Sequence, residues 1–284
     1  MEPFLRDVRT RRFWVRLVTQ AFACFGALAV VGGAIALFSP ALLVGQGWLG
    51  WIALAASVVF GVVRAWPQPV VTTYQAPSTT IRLVQGSLFE QPGSHLVIGV
   101  SDTFDTAAPH IAPDSVQGKF LKEVYGNDGL KLDGDIEREL ASIVPVGAIE
   151  GKGGKTERYP LGTVVVLKSN SIRYFLVAYT QMDARSMASA TTDGLWDSLS
   201  ELWKSVRSES NGTRVCIPLV GGGQSKLSPL LPAIDSVRFI ALSFMLASRS
   251  SRVCDELAIV VPPKQYEALD HLEVQAFLDS LRPS

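Results

Sequence analysis

The 284-residue sequence predicts an α/β sandwich carried behind a two-helix membrane hairpin, on three observations. No Asp, Glu, Lys or Arg occurs from Leu17 to Val63, whereas the remainder has ordinary soluble composition. From Ile81 onward strand-like and helical runs alternate, the pattern of helices packed on a sheet. Several loops after apolar runs are rich in Gly, Asp, Ser and Thr, and in such sheets ligands bind at the carboxyl ends of strands. The formal net charge is zero, so bulk charge gives no reason to expect a nucleic-acid partner. The three cysteines, Cys24, Cys216 and Cys254, lie far apart with no CxxC spacing. That argues against a disulfide framework or a zinc site and fits a reducing compartment.

The hairpin comes first. The runs Leu17–Phe38 and Leu43–Val63 are each close to the ~20 residues that cross a ~30 Å hydrocarbon layer. A signal peptide is the competing reading of an N-terminal apolar run, but this run is long and a second follows at once. Arg6, Arg9, Arg11, Arg12 and Arg16 precede the first run and Arg64 follows the second, while the turn between them has no charge. Cationic flanks stay cytoplasmic, so both chain ends and the soluble domain are expected in the cytosol, on a multi-pass membrane protein. Trp14, Trp48, Trp51 and Trp66 fall near the expected interfaces. The pairs Ala23/Ala27, Ala29/Gly33, Gly32/Ala36 and Ser57/Gly61 form small-residue rows that let helices approach in lipid. No ionisable residue lies mid-span, so a transporter or proton relay has no support.

Residues 1–66 are therefore the membrane segment with its basic flank, 67–80 a Pro- and Thr-rich linker, and 81–284 the soluble domain. Strands are expected at Ile81–Gln85, His95–Val100, Gly162–Lys168, Ile172–Tyr179, Arg214–Val220 and Glu256–Val261. Helices are expected at Asp114–Val124, Asp133–Ile143, Thr192–Val206, Leu230–Ala247 and His271–Leu281. Thr192 or Asp193 is the candidate N-cap of the third of these.

Three loops have the chemistry of a site. "SDTFDT", Ser101–Thr106, sets two carboxylates, hydroxyls and an aromatic ring directly after an apolar strand; an Asx-rich turn is the plainer alternative. "APDSVQGKF", Ala112–Phe120, looks like a helix start around Ser115, Val116, Gln117 and Gly118. Helix N-terminal N–H groups attract anions, and Gly118 offers close backbone approach. "CIPLVGGGQSKLSP" places Gly221, Gly222, Gly223, Gln224, Ser225 and Lys226 between a strand and a helix, where consecutive N–H groups form anion-binding nests. This is neither a Walker loop nor a dinucleotide fingerprint, because the GK[ST] and the GxGxxG are missing. Two such loops beside a polar one converge on a diphosphate ligand. His95, His110 and His271 are scattered, no nucleophile has an adjacent base, and no metal or cofactor is expected.

With those residues in view, the soluble part resembles a macro domain, the α/β module that binds ADP-ribose. "IRLVQGSLFE" is similar to its early strand and glycine-led turn, and "HLVIGVSDTFDT" to the next strand and loop. "PDSVQGKF" and "IPLVGGGQSKLSP" resemble the two phosphate loops. With the hairpin ahead of it, the whole chain resembles the membrane-anchored macro-domain effectors of bacterial type II Thoeris antiphage defence. The resemblance implies a three-layer α/β/α sandwich with a mixed sheet, and a non-enzymatic receptor. It also implies a TIR-domain partner that makes the signal, an ADP-ribose derivative such as histidine-ADP-ribose. Ligand capture would then drive homo-oligomerisation, disruption of the lipid bilayer and abortive infection. By the same resemblance Val116–Gly118 and Gly221–Ser225 cradle the phosphates, and Ser87 and Leu88 lie against adenine. Asp102, Thr103, Phe104 and Asp105 line the distal ribose.

Two departures stand out. Ser87 occupies the place where many macro domains have an adenine-binding Asp, and "SDTFDT" replaces the Asn-rich loop of hydrolytic members. A membrane-tethered ADP-ribosyl hydrolase, with Asp102 or Asp105 activating water, is the alternative reading. A passive anchor for ADP-ribosylated partners is the third.

Overall fold

A computed structural model of the chain describes residues 11–38, 47–65, 69–221 and 231–282. It divides into two compact units, Met1–Pro69 and Val70–Ser284.

The first unit holds α1 (Arg11–Phe38) and α2 (Trp48–Ala65). Among the described residues one helical stretch, Leu17–Phe38 in α1, is long and apolar enough to cross a membrane. The apolar part of α2, Trp48–Arg64, is shorter; at ~1.5 Å per residue its 17 residues reach about 26 Å, short of the ~30 Å layer. The expectation of two full spans is thus met for the first alone, and a multi-pass chain is not supported. Leu43, Arg6, Arg9 and Trp66 lie outside the described residues. The helices meet at a small residue: a Cβ on Gly61 would stand 2.8 Å from the Leu17 carbonyl and 3.0 Å from the Ala21 Cβ. Ser57, one turn earlier, is buried there. Gly32 and Gly33 have no such neighbour within 4 Å, so those rows face away from the helix pair. Elsewhere both helices present apolar side chains such as Phe22, Val30, Leu37, Trp51 and Val59.

The second unit begins sooner than the sequence suggests. Within the stretch read as linker, β1 (Val71–Gln75) pairs antiparallel with β2 (Ser78–Gln85). There follow a 3-10 turn (Leu88–Glu90), β3 (His95–Ser101), α3 (Val116–Tyr125) and α4 (Gly129–Leu140). A small hairpin, β4 (Gly147–Ala148) and β5 (Glu157–Arg158), precedes β6 (Val164–Ser169), β7 (Ile172–Met182) and β8 (Ala188–Ser189). The chain ends with α5 (Thr192–Glu209), β9 (Val215–Pro218), α6 (Ala233–Ser250), β10 (Glu256–Val261), α7 (Pro263–Ala268) and α8 (His271–Ser280). The N-cap of α5 is Thr191, whose hydroxyl accepts from the Gly194 N–H, and neither Thr192 nor Asp193; its extended backbone leaves the oxygen free to reach into the first turn.

The main sheet runs β1-β2-β10-β9-β3-β7-β6, with β8 appended to β7. The five central strands from β2 to β7 are parallel to their neighbours, and the edges β1 and β6 are antiparallel. This is the mixed sheet of an α/β sandwich. Alternation along the strands sorts the core into two layers. Val97, Val177, Ile217 and Ile259 face α5, α6 and α8, where Trp203 and Phe244 fill the space. Ile98, Leu176, Cys216 and Val260 face α3 and α4, against Phe120 and Ile136. Trp203 is fully buried, so its indole N–H needs a partner and finds the Ser243 hydroxyl at 3.0 Å. At the β1 edge, Gln275 of α8 accepts from the Val71 N–H and donates to its carbonyl. A side chain thereby takes the place of a further strand and covers an edge open to pairing.

Candidate functional site

Parallel strands bring their carboxyl ends to one side of the sheet. Register aligns Val261 with Gln85, Val260 with Pro218, and Ser101 with Thr180 past a bulge at Val100/Ser101. A cleft of about 330 Å³ opens along this side. Its walls are Ser101 and Thr180 at the strand ends, Ser115, Val116 and Gln117 at the start of α3, and Leu219 and Val220 after β9.

The start of α3 is locally determined. The Ser115 hydroxyl donates to the Ala112 carbonyl at 2.6 Å and accepts from the Gly118 N–H at 3.0 Å. One cap bond satisfies one of the four N–H groups a helix start leaves without intrahelical partners, and the first turn stays positively polarised. Gly118 acts differently from expectation. A Cβ there would lie 2.4 Å from the Ala112 carbonyl oxygen and 2.7 Å from that of Pro113, so its close approach is to its own preceding loop. Gln117 is buried and donates its side-chain amide to the Asp105 carbonyl, joining this helix start to the loop after β3.

Across the cleft, the turn after β9 is pinned to α6. The Ser236 hydroxyl accepts from the Val220 N–H at 3.0 Å and donates to the Val220 carbonyl at 2.9 Å. Gly221 follows with φ of 78°, a left-handed conformation that glycine adopts without Cβ strain. Gly222, Gly223, Gln224, Ser225 and Lys226 lie outside the described residues.

The loop after β3 is buried throughout, Asp102 to Thr106. Its carboxylates are directed into ion pairs. Asp102 accepts from the Arg158 guanidinium at 2.7 Å and from the Met182 N–H at 2.8 Å. Asp105 accepts from the Lys152 ammonium at 2.7 Å, the Thr103 hydroxyl at 2.6 Å and the Lys155 N–H at 3.0 Å. The Lys152 side chain is fully buried, and its ammonium also donates to the Gly153 and Lys155 carbonyls, which accounts for all three of its donors. Phe104 is a core residue, 0% exposed at φ of 50°, edge-on to the Tyr159 ring. These four residues therefore shape the loop from within and do not line the cleft.

Ser87 and Leu88 follow the end of β2, where the 3-10 turn that Leu88 opens reaches back over the sheet to β9. Gly86, with its N–H on the Val261 carbonyl at 3.0 Å, brings the chain over the sheet end; Ser87 is half-buried and Leu88 buried in the core. Neither borders the cleft.

Tyr179, Gly99 and His110 are among the wall residues that escaped the sequence reading. Tyr179 of β7 lies on Gly99 of β3, where a Cβ would stand 2.2 Å from the ring, and both line the cleft. The lone glycine inside the apolar strand was the available signal of a close approach. His110 also lines it, with Nδ1 2.7 Å from the Ser186 hydroxyl. The other two histidines lie elsewhere. His95 is buried beneath the sheet end, with Nδ1 accepting from the Arg173 N–H and Nε2 facing the Ser210 carbonyl; burial lowers its pKa. His271 faces the Tyr266 carbonyl. Among the described residues no cluster of His, Cys, Asp and Glu has the arrangement of a metal site. Burial pushes the Cys216 thiol up and the Cys254 thiol to about 12, so both are small buried hydrophobes in chemical character.

Comparison with known proteins agrees with this geometry. The family described as "Thoeris protein ThsA, Macro domain" matches residues 81–262. Thoeris protein ThsA of Bacillus amyloliquefaciens is 22% identical over 211 residues, covering 72% of this chain and 70% of the relative. Two solved point mutants of the Oceanobacillus iheyensis macrodomain superimpose with a TM-score of 0.50 each. They are 11% and 13% identical, covering 74% and 76% of this chain and 98% and 95% of theirs. At that identity the likeness is one of fold.

Proposed function

The chain belongs to the Thoeris ThsA macro-domain family, and on that premise we propose that it is an antiphage-defence receptor for an ADP-ribose-derived signal, joined to a membrane through its apolar N-terminal unit. The observation that carries the reading is the pair of backbone loops facing each other across the carboxyl edge of β9 and β3. One is the start of α3 at Ser115–Gln117; the other is the turn at Val220–Gly221, fixed by Ser236. Such loops offer main-chain donors and helix-end polarity to a diphosphate without a bound metal. In this reading Gly222–Ser225 complete the second loop and Lys226 adds charge. Ser87 and Leu88 serve the adenine end near β2.

Binding rather than turnover is favoured by what Asp102 and Asp105 do. Both are at most 2% exposed and ion-paired, so activating a water would first require breaking a buried pair. The finer parts of the proposal concern the response. A TIR-domain partner makes the signal, histidine-ADP-ribose, and its capture favours assembly of several copies. Gly32 and Gly33, with no neighbour within 4 Å, give α1 a face for a second copy. Assembly then disrupts the inner membrane from a cytosolic soluble unit that begins near Val70.

The test is a calorimetric titration of the full-length chain in nanodiscs with ADP-ribose, paired with dye release from liposomes carrying the protein. Saturable binding and ligand-dependent release are expected, both lost in Gly221→Glu, which places a side chain and a negative charge at a left-handed position. Full affinity in that variant refutes the diphosphate assignment. Equal dye release with and without ligand refutes the gating, since a ligand shifts assembly by no more than its differential affinity for the assembled state.

A further inference from the structure

The ligand read into the cleft carries a base as well as a diphosphate. At the end near β2, Ser87 and Leu88 offer a hydroxyl and an alkyl group, and neither lines the cleft. The wall there comes from the neighbouring strand. Val261, the last residue of β10, is registered with Gln85, and its carbonyl accepts from the Gly86 N–H at 3.0 Å. The chain leaving β10 therefore runs beside the turn at Ser87. Pro262, next in sequence, and Gln265 of α7 both line the cleft.

Two glutamines line the cleft among the described residues, and they differ. Gln117 is buried and engaged with the Asp105 carbonyl. Gln265 is exposed. Its main-chain carbonyl accepts from the Leu269 N–H at 3.1 Å, while its carboxamide makes no hydrogen bond to another described residue. An exposed glutamine is ordinarily just solvated, but this one sits at the base end of a cleft with donor and acceptor both unengaged. Adenine presents an amino donor, N6, beside a ring-nitrogen acceptor, N7, and a carboxamide meets both at once. A carboxylate, which only accepts, would meet the amino group and face the N7 lone pair. Asp114 is the one carboxylate among the described lining residues, and it precedes the Ser115 cap of α3.

We propose that Gln265 determines the base specificity of this chain. Its carboxamide oxygen accepts from the amino group of adenine, and its NH2 donates to the adjacent N7. The assignment rests on the reading of the cleft as an ADP-ribose site. It gives the purine a reader on α7, across from Ser87, which has no carboxylate to offer.

The experiment titrates the full-length chain in nanodiscs with two probes, ADP-ribose and inosine diphosphate ribose. In the second probe a carbonyl replaces the amino group, so the base shows two neighbouring acceptors and the carboxamide keeps one bond, whichever way it turns. The unaltered chain is expected to bind ADP-ribose about fivefold to tenfold more tightly, the scale of one lost hydrogen bond. Gln265→Leu is expected to bind the two probes within about twofold of each other, because it contacts neither base edge through a polar group. Asp114→Asn is expected to keep the preference. A preference retained in Gln265→Leu, or lost in Asp114→Asn, overturns the assignment. Equal affinity of the two probes for the unaltered chain also overturns it and leaves the cleft reading standing. Failure of the unaltered chain to bind either probe overturns both.

Discussion

Gly118→Ala pits two effects of known size against each other. In an open helix, alanine is better than glycine by about 1 kcal/mol, and α3 would gain from the change. The Cβ, however, would enter a space bounded by backbone: the Ala112 carbonyl oxygen at 2.4 Å, the Pro113 oxygen at 2.7 Å and the Pro113 carbonyl carbon at 2.8 Å. No rotamer change relieves such contacts. The loop must move, and overpacking of this kind costs about 1–3 kcal/mol. The clash therefore outweighs the helix gain by up to about 2 kcal/mol, or up to roughly 8 °C in Tm for a unit of this size. Gly134 of α4 provides the control, being exposed with no atom within 4 Å of its missing Cβ; Gly134→Ala is expected to raise Tm by about 2–4 °C. Thermal unfolding of both variants, with an ADP-ribose titration of each, is the assay. Gly118→Ala should also bind more weakly, because the shifted loop carries the Ser115 cap, while Gly134→Ala should bind normally. Equal stabilisation of the two variants would refute the argument that Gly118 is held by its own preceding loop.

Two further outcomes follow from buried groups. Lys152→Met leaves Asp105 buried without its cation and is expected to cost about 3–5 kcal/mol, toward the lower end because Thr103 and the Lys155 N–H still bond the carboxylate; adding Asp105→Asn should recover much of it in a denaturant series, and a loss below about 1 kcal/mol in the single variant would mean the pair is solvated. His95 has a pKa lowered by burial, so the unfolded chain takes up a proton that the native fold resists; its stabilising contribution is complete above the unfolded value near 6.5 and is lost as pH falls through the folded value. Tm measured from pH 7.5 to 5 should drop more steeply in the unaltered chain than in His95→Gln, and parallel profiles would remove His95 from the pH response.

Much of this architecture was legible because it is written in short-range patterns. Alternation marked the strands, ending at Val261 where β10 ends, and the residue types of "PDSVQGKF" announced a capped helix start, since a Ser cap and its N–H partner are three residues apart. The charge-free stretch marked α1 as apolar enough for a membrane, and the Ser57/Gly61 row marked the helix contact. β1 was hidden in a Pro- and Thr-rich segment because its pairing with β2 and its cover by Gln275 are tertiary facts.

The loop after β3 shows where such reading stops. Two aspartates after an apolar strand look like ligand-facing groups, and the sequence by itself determined their place at the carboxyl end of the sheet. Their partners, Lys152 and Arg158, come from 47 and 56 residues downstream, and no local period connects them. Burial by those distant cations, decided by tertiary structure alone, turned the aspartates inward, because a carboxylate out of water must find its counter-charge wherever the fold brings one.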